Sequence, residues 1–330
     1  MEKDVAAALG RIPLFEGTTE QNMSAQRLGG LTNRNYRIEC PAGRFVLRLA
    51  GEGTAEYIDR AVEEHNARVA ADAGVNAEVL FFDTADGTML CRYIDGSVTM
   101  DAQKFKDHAP VARAAHAFRR LHQCGRAFES RFELFEQIDN YLGVVKKLSA
   151  DIPDDYQAVQ SQAEAVRAAL SAHALPVAPC HCDPLAENLL DTGKRMVIID
   201  FEYSGNNDPM WDLGDLSVEA EFDSEQDRIF MNAYFDGEPP AFDLGRMVLY
   251  KAMCDLLWTL WGVVQHANGN PAEDFWAYAV NRLRRCRNLM ATEEFPHHIE
   301  VVQHGPTRPF RRPPCRASSL ANHTGQPRKT

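Results

Sequence analysis

Four apolar residues, Met196-Val-Ile-Ile199, run directly into Asp200-Phe-Glu202-Tyr203, and this abrupt change constrains the fold more than any other feature of the chain. A carboxylate at the end of a buried strand is costly unless it is used or paired. The turn-forming stretch 191–195, with Gly193 at its centre, joins this strand to Leu189-Leu190, so the two read as a β-hairpin. The start of a hairpin's first strand lies beside the end of its second, which sets Asn188 next to Asp200. Asp183 stands five residues before Asn188. An amide oxygen and a carboxylate at one point, with a second carboxylate near, make a donor set suited to Mg2+ and phosphoryl transfer. Asp183 would then take the proton of an attacking hydroxyl.

The rest of the chain divides into two textures. Short β-rich runs at 37–40, 44–50, 79–83 and 88–94 are separated by Gly, Pro and Asp, with one helix predicted over 56–73 and stopped by Gly74. After Asp95-Gly96 the pattern predicts amphipathic helices over 111–124, 135–149, 158–173, 212–221, 224–235, 244–266 and 272–290, with the hairpin as the one strand pair among them. At 330 residues, two lobes are expected: an N-lobe over 1–95 and a C-lobe over 96–295. Residues 296–330 carry six prolines and six Lys or Arg against one Glu, a composition expected to remain a disordered basic tail. The fold class implied is α+β, with a small antiparallel sheet and one helix in the first lobe and a mainly helical second lobe.

With 35 basic against 47 acidic residues, a net charge of −12, the chain lacks the basic face a nucleic-acid binder needs and suits a cationic ligand. Charges at Glu2, Lys3, Asp4 and Arg11 interrupt the first fifteen residues, and the least charged stretch, 256–272, is too short and polar to span a bilayer. The expectation is a cytoplasmic enzyme with a small-molecule substrate and no nucleic-acid or membrane partner; oligomeric state is not fixed by sequence. Eight cysteines in a chain of this length do not form a disulfide framework. Cys180 and Cys182 flank His181, but no second Cys or His pair follows at ligand spacing, so they read as ordinary half-buried thiols.

His181-x-Asp183-x-x-x-x-Asn188 has the spacing of a protein-kinase catalytic loop, with Asp200 where the metal-binding Asp of the kinase hairpin would stand. Together with Gly29-Gly30-Leu31-Thr32-Asn33-Arg34-Asn35-Tyr36, Phe45-Val-Leu-Arg48-Leu, Trp211-Asp-Leu-Gly214 and Trp258-Thr-Leu-Trp261, it makes residues 25–290 resemble the choline and ethanolamine kinases. These belong to the wider aminoglycoside-phosphotransferase and protein-kinase-like group, and the likeness is greatest to bacterial choline kinases. The resemblance implies a two-lobed protein-kinase-like fold that uses ATP and Mg2+ to make phosphocholine. It puts loop 29–35, with Gly29, Gly30, Thr32, Asn33 and Asn35, over the ATP phosphates. Arg48 takes the place of the kinase phosphate-binding lysine, and the loop departs from Gly-x-Gly-x-x-Gly. Glu63 is the choice to pair with Arg48, Glu64 its rival on the same helix, and 91–94, including Tyr93 and Ile94, the hinge against adenine.

Asn188, Asp200 and Glu202 are the implied metal ligands, with His181 positioning the loop backbone and Asp212 capping the following helix while bracing that loop. Choline offers no N–H, so a site that selects it must use aromatic faces and diffuse negative charge. Trp258 and Trp261 share a helix face; on the resemblance they join Tyr278 and Glu219 in a cage, and on composition alone they are core aromatics, while Tyr203 and Trp211 flank the metal loop, either lining the substrate side or packing structurally. Ser224 stands where eukaryotic relatives have a tyrosine, with Phe222 a substitute wall; Glu221 and Asp223 are further carboxylates. Ethanolamine, thiamine or an aminoglycoside are alternative acceptors. A pseudokinase that binds without turnover is the alternative from another class, against which the complete His181, Asp183, Asn188 and Asp200 set speaks.

Overall fold

The computed structural model describes residues 1–29, 33–51, 54 and 58–307. The first lobe is a five-stranded antiparallel sheet in the order β1-β2-β3-β5-β4, built from β1 (Ser24–Arg27), β2 (Arg34–Cys40), β3 (Gly43–Leu49), β4 (Val79–Asp83) and β5 (Thr88–Arg92). Alternation along β2 and β3 turns Tyr36, Ile38, Phe45, Leu47 and Leu49 into one small core. Helix α1 (Lys3–Gly10) closes that core with Val5, Ala8 and Leu9. Its eight residues had no assigned role in the sequence reading, because so short a helix gives little periodic signal.

Helix α2 (Arg60–Asp72) connects β3 to β4 and starts at Asp59, whose carboxylate accepts from the N–H groups of Ala61 and Val62. Its inner residues Ala67, Val69 and Ala70 join the larger core of the second lobe. Hydrogen bonds cross between lobes where Ile198 N–H donates to Val75 O at 2.9 Å and the Asn66 side-chain Nδ2 donates to Ser204 O at 3.1 Å.

The second lobe carries α3 (His108–His122), α4 (Leu134–Leu148), α5 (Tyr156–Ser171), α6 (Pro209–Glu219), α7 (Ser224–Phe235), α8 (Ala241–Ala267), α9 (Phe275–Met290) and α10 (Phe295–His304). Helix α8 is long and apolar enough to cross a membrane on length and composition, yet most of it is buried beneath its neighbours as the lobe's core helix. Two glycines set how closely those neighbours approach: a Cβ on Gly214 would meet Met247 O at 2.8 Å, and one on Gly262 would meet the Tyr278 ring at 2.7 Å.

The expected hairpin is present as β8 (Leu189–Asp191) and β9 (Met196–Ile198), to which β6 (Val98–Thr99) adds a third strand. It is not the one strand pair of the lobe, because β7 (Ala178–Cys180) and β10 (Gly205–Asn207) also pair; strands of three residues are too short to show alternation. Nor does the tail begin at Pro296. That proline occupies the start of α10, where its missing N–H is not needed, and Phe295 and Val302 are buried. Residues 308–330 lie outside the described residues.

Candidate active site

The hairpin register places Leu189 opposite Ile198, and Ile199 N–H donates to Asn188 O at 2.9 Å, so Asp200 follows directly on the residue paired with Asn188. Asp200 has φ +68° and Cys182, beside Asp183, also +68°. Left-handed backbone at a non-glycine residue costs on the order of 1 kcal/mol and persists where surroundings hold it. Here the hold is visible. Asp212, wholly buried in the first turn of α6, accepts from His181 N–H at 2.7 Å and Cys182 N–H at 2.9 Å. His122 contacts the same carboxylate at 3.0 Å and Tyr234 OH at 2.9 Å, while Trp211 Nε1 donates to Cys182 O at 3.1 Å. Asp212 does not cap its helix; Asp208 does, because α6 begins three residues earlier than expected with Pro209. His181 is buried, its Nε2 donating to Ile199 O at 2.8 Å, and burial lowers its pKa toward the neutral ring. Cys180 and Cys182 are wholly buried rather than half-buried.

Asp183 emerges from this braced loop and remains partly exposed. Burial of its carboxyl, then Glu219, Asp200 and Glu202, push its pKa well above the usual carboxylate range. Asn188 donates its side-chain amide to Asp183 O at 3.2 Å, which leaves its own Oδ1 for another partner.

One carboxylate-rich cluster lies between the lobes. Arg48 of β3 and Glu63 of α2 form a buried ion pair, and Arg48 Nη2 donates to Gly87 O at 3.2 Å. The rival Glu64 pairs instead with Arg68 Nε at 3.0 Å. Arg60, which the sequence reading did not single out, reaches Glu63 at 2.6 Å and Glu202 at 3.6 Å; it stands three residues before Glu63 and so shares its helix face. Glu63, Asp200 and Glu202 have oxygens within 4.8 Å of one another. Glu63 is neutralised by two arginines, whereas Asp200 Oδ1 is buried without a hydrogen-bond partner. Burial, reinforced by Asp200, raises Glu202 to about 7. An orphaned carboxylate oxygen beside a second carboxylate and Asn188 fits a hard, oxygen-seeking cation.

Of the phosphate-loop residues, Asn33 is buried, donating to Glu202 at 3.1 Å and accepting from Gly51 N–H at 3.2 Å, and Asn35 donates to Gly29 O at 3.3 Å. A Cβ on Gly29 would meet open space, while Gly30 and Thr32 lie outside the described residues. At the hinge, Tyr93 gives its N–H to Arg44 O at 3.1 Å, and Ile94 O accepts from Ser97 Oγ at 2.8 Å.

The aromatic residues form a chain across α8 and α9. Ring centroids are 6.5 Å apart for Tyr203 and Trp258, 6.3 Å for Trp258 and Trp261, and 5.6 Å for Trp261 and Tyr278, all edge-to-face. Phe222 does not join them; it packs on Phe105 and Phe230, and Asp223 is spent capping α7. Glu219 is not free either. Arg282 of α9 grips it at 2.5 and 2.7 Å and lies over the Tyr278 ring at 4.8 Å from the centroid. The sequence reading missed Arg282, although it follows Tyr278 by four residues and so stands one turn along the same face.

With this geometry in place, comparison with known proteins is informative. Residues 25–242 match the phosphotransferase enzyme family. The chain is 27% identical over 294 residues to Protein LicA of Haemophilus influenzae, covering 86% of this chain and 84% of that one. Among solved structures, a choline/ethanolamine kinase family protein from Mesorhizobium loti is 52% identical with a TM-score of 0.84, covering 92% of this chain and 100% of the other. Choline kinase LicA from Streptococcus pneumoniae is 30% identical with a TM-score of 0.69, covering 81% and 93% respectively. The resemblance carried by the motifs therefore holds along most of the chain, which belongs to the phosphotransferase enzyme family and, within it, to the choline/ethanolamine kinases that phosphorylate an alcohol.

Proposed function

We propose that the chain transfers the γ-phosphoryl group of ATP to the hydroxyl of choline, releasing phosphocholine and ADP. The observation that carries this reading is the braced loop that leaves Asp183 partly exposed at the end of the hairpin: Asn188 Nδ2 donates to Asp183 O at 3.2 Å, Ile199 N–H donates to Asn188 O at 2.9 Å, and Asp212 holds the N–H groups of His181 and Cys182. Asp183 removes the hydroxyl proton as the new P–O bond forms and the bond to ADP breaks. In the free enzyme burial, and then its carboxylate neighbours, favour the protonated form. The positive head group of the amino alcohol offsets them and favours the ionised base.

Arg48, held by Glu63, faces the ATP phosphates together with Asn33 and Asn35, and the 91–94 edge takes the adenine. Asn188, Asp200 and Glu202 would hold Mg2+, which when bound supplies charge neutralisation at the transferred phosphoryl group. Trp258, Trp261, Tyr278 and Tyr203 give the quaternary ammonium its aromatic surroundings, each cation–π contact contributing about 0.5–2 kcal/mol. ATP as donor fits a cytoplasmic enzyme.

ADP release from Mg·ATP measured with choline, ethanolamine, thiamine and kanamycin tests the reading. The highest kcat/KM is expected with choline; release with none of the four would restore the pseudokinase, and a preference for kanamycin would overturn the acceptor. Asp183→Asn is expected to lower kcat about 10³-fold with an unchanged melting temperature.

A further inference from the structure

Glu219 and Tyr278 are the acidic and aromatic members of the pocket on the choline reading, yet the structure already gives both of them a cation. Arg282 is 7% exposed, holds both oxygens of Glu219, and stacks on one face of Tyr278. It also reaches Asp255 Oδ1 at 3.2 Å, whose other oxygen accepts from Arg285 Nε at 3.1 Å. Two arginines thus meet two carboxylates, and the group is neutral as a whole. The remaining carboxylate nearby, Asp215, stands one helical turn before Glu219 and is wholly buried, with the Cys254 thiol on its Oδ1 at 3.2 Å. Both Glu219 oxygens are taken by Arg282, and Asp215 Oδ2, which has no hydrogen-bond partner, is wholly buried.

A primary ammonium carries three N–H groups that must replace their water partners, whereas a quaternary ammonium carries none and loses nothing in a pocket without acceptors. We infer that Arg282 is a positioning residue that sets acceptor choice: by holding both oxygens of Glu219 against Tyr278, it withholds hydrogen-bond acceptors and selects a fully alkylated ammonium over a primary one. This rests on the choline reading and adds a residue and a reason to it. Arg282 acts through Glu219 and Tyr278, and its removal frees an acceptor while Arg285 still pairs Asp255.

The test is steady-state kinetics with choline, N,N-dimethylethanolamine, N-methylethanolamine and ethanolamine. The proteins compared are the wild type, Arg282→Met, Arg282→Lys and the double variant Arg282→Met/Glu219→Leu. In the wild type KM is expected to rise with each methyl removed. Arg282→Met is expected to lower the choline-to-ethanolamine ratio of kcat/KM at least tenfold through a lower ethanolamine KM, with KM for ATP unchanged within twofold. The double variant has no carboxylate to free and should keep the wild-type order. A fall of less than threefold in Arg282→Met, with both substrates losing kcat in parallel, overturns the inference and makes the arginine scaffolding. Should Arg282→Met not melt as a folded protein, Arg282→Lys decides. Its single ammonium leaves one Glu219 oxygen open, and the ratio should fall at least threefold; a smaller fall overturns the inference. A wild type that phosphorylates none of the four sinks the choline reading itself, whereas activity at a ratio fixed through all variants sinks the role of Arg282 alone.

Discussion

Two arginine–carboxylate clusters flank Asp183, and they balance their charges differently. Between the lobes, Arg48 and Arg60 face three carboxylates, Glu63, Asp200 and Glu202, so the acids outnumber the arginines, and Asp200 Oδ1, 3.8 Å from Arg48, is buried without a hydrogen-bond partner. Across α6, α8 and α9, Arg282 and Arg285 pair with Glu219 and Asp255, while Asp215 beside them is wholly buried, with the Cys254 thiol on its Oδ1 and no hydrogen-bond partner on its Oδ2. The first arrangement leaves charge available to a metal and ordered donors for phosphates. The second leaves aromatic surface, which suits a cation that cannot donate a hydrogen bond. Similar side chains thus prepare different kinds of site: the unpaired acid of the first cluster, Asp200, is partly exposed, whereas that of the second, Asp215, is wholly buried.

Breaking the open cluster should have the largest effect. Asp200→Ala removes the orphaned oxygen, and kcat is expected to fall at least 10³-fold at saturating Mg2+ in an ADP-release assay, with the fold retained on melting. Arg48→Met takes one partner from a pair whose side chains are only 3% and 1% exposed, leaving Glu63 to Arg60. It should cost about 3 kcal/mol in denaturant unfolding and raise the KM for ATP at least tenfold while leaving that for choline nearly unchanged. The closed cluster is probed with Trp258→Ala, expected to raise the choline KM about tenfold with little change for ATP; equal changes would make the tryptophan a packing residue. Gly262→Ala is the gentlest probe. Its new methyl group pushes on the Tyr278 ring, and a rise of a few-fold in choline KM should appear without a change in ATP KM.

Much of this organisation is legible in the sequence, for reasons that also explain what is not. The hairpin could be read because an apolar run ending in carboxylates leaves few alternatives, and the long helices because their stripes repeat over several turns. The strands β7 and β10, three residues each, are set by tertiary pairing and leave no pattern. Whether Glu63 or Glu64 meets Arg48 turns on about 100° of helix rotation, which the buried face of α2 settles in favour of Glu63. Arg60 and Arg282 escaped notice because basic residues on helices ordinarily point to water. Their partners come from elements distant in the chain, and Arg282 lies 63 positions from Glu219. Helix α10 was lost because its Pro296 was counted with later prolines although it suits a helix's first turn.

The anchoring of the 181–183 segment has a consequence for how freely this region can vary. Asp212 grips the main chain, through N–H groups that every amino acid except proline supplies. The grip at 182 does not use the cysteine thiol, and the left-handed φ of +68° penalises valine or isoleucine, while the wholly buried thiol, packed toward Cys180 O and Gly205 O, limits replacement to a small side chain. Replacement of Asp212 would release two amides at once and let the reactive carboxyl drift, although Asp212 itself is wholly buried. The main chain of the segment thus depends on one aspartate thirty residues away rather than on its own side chain at 182.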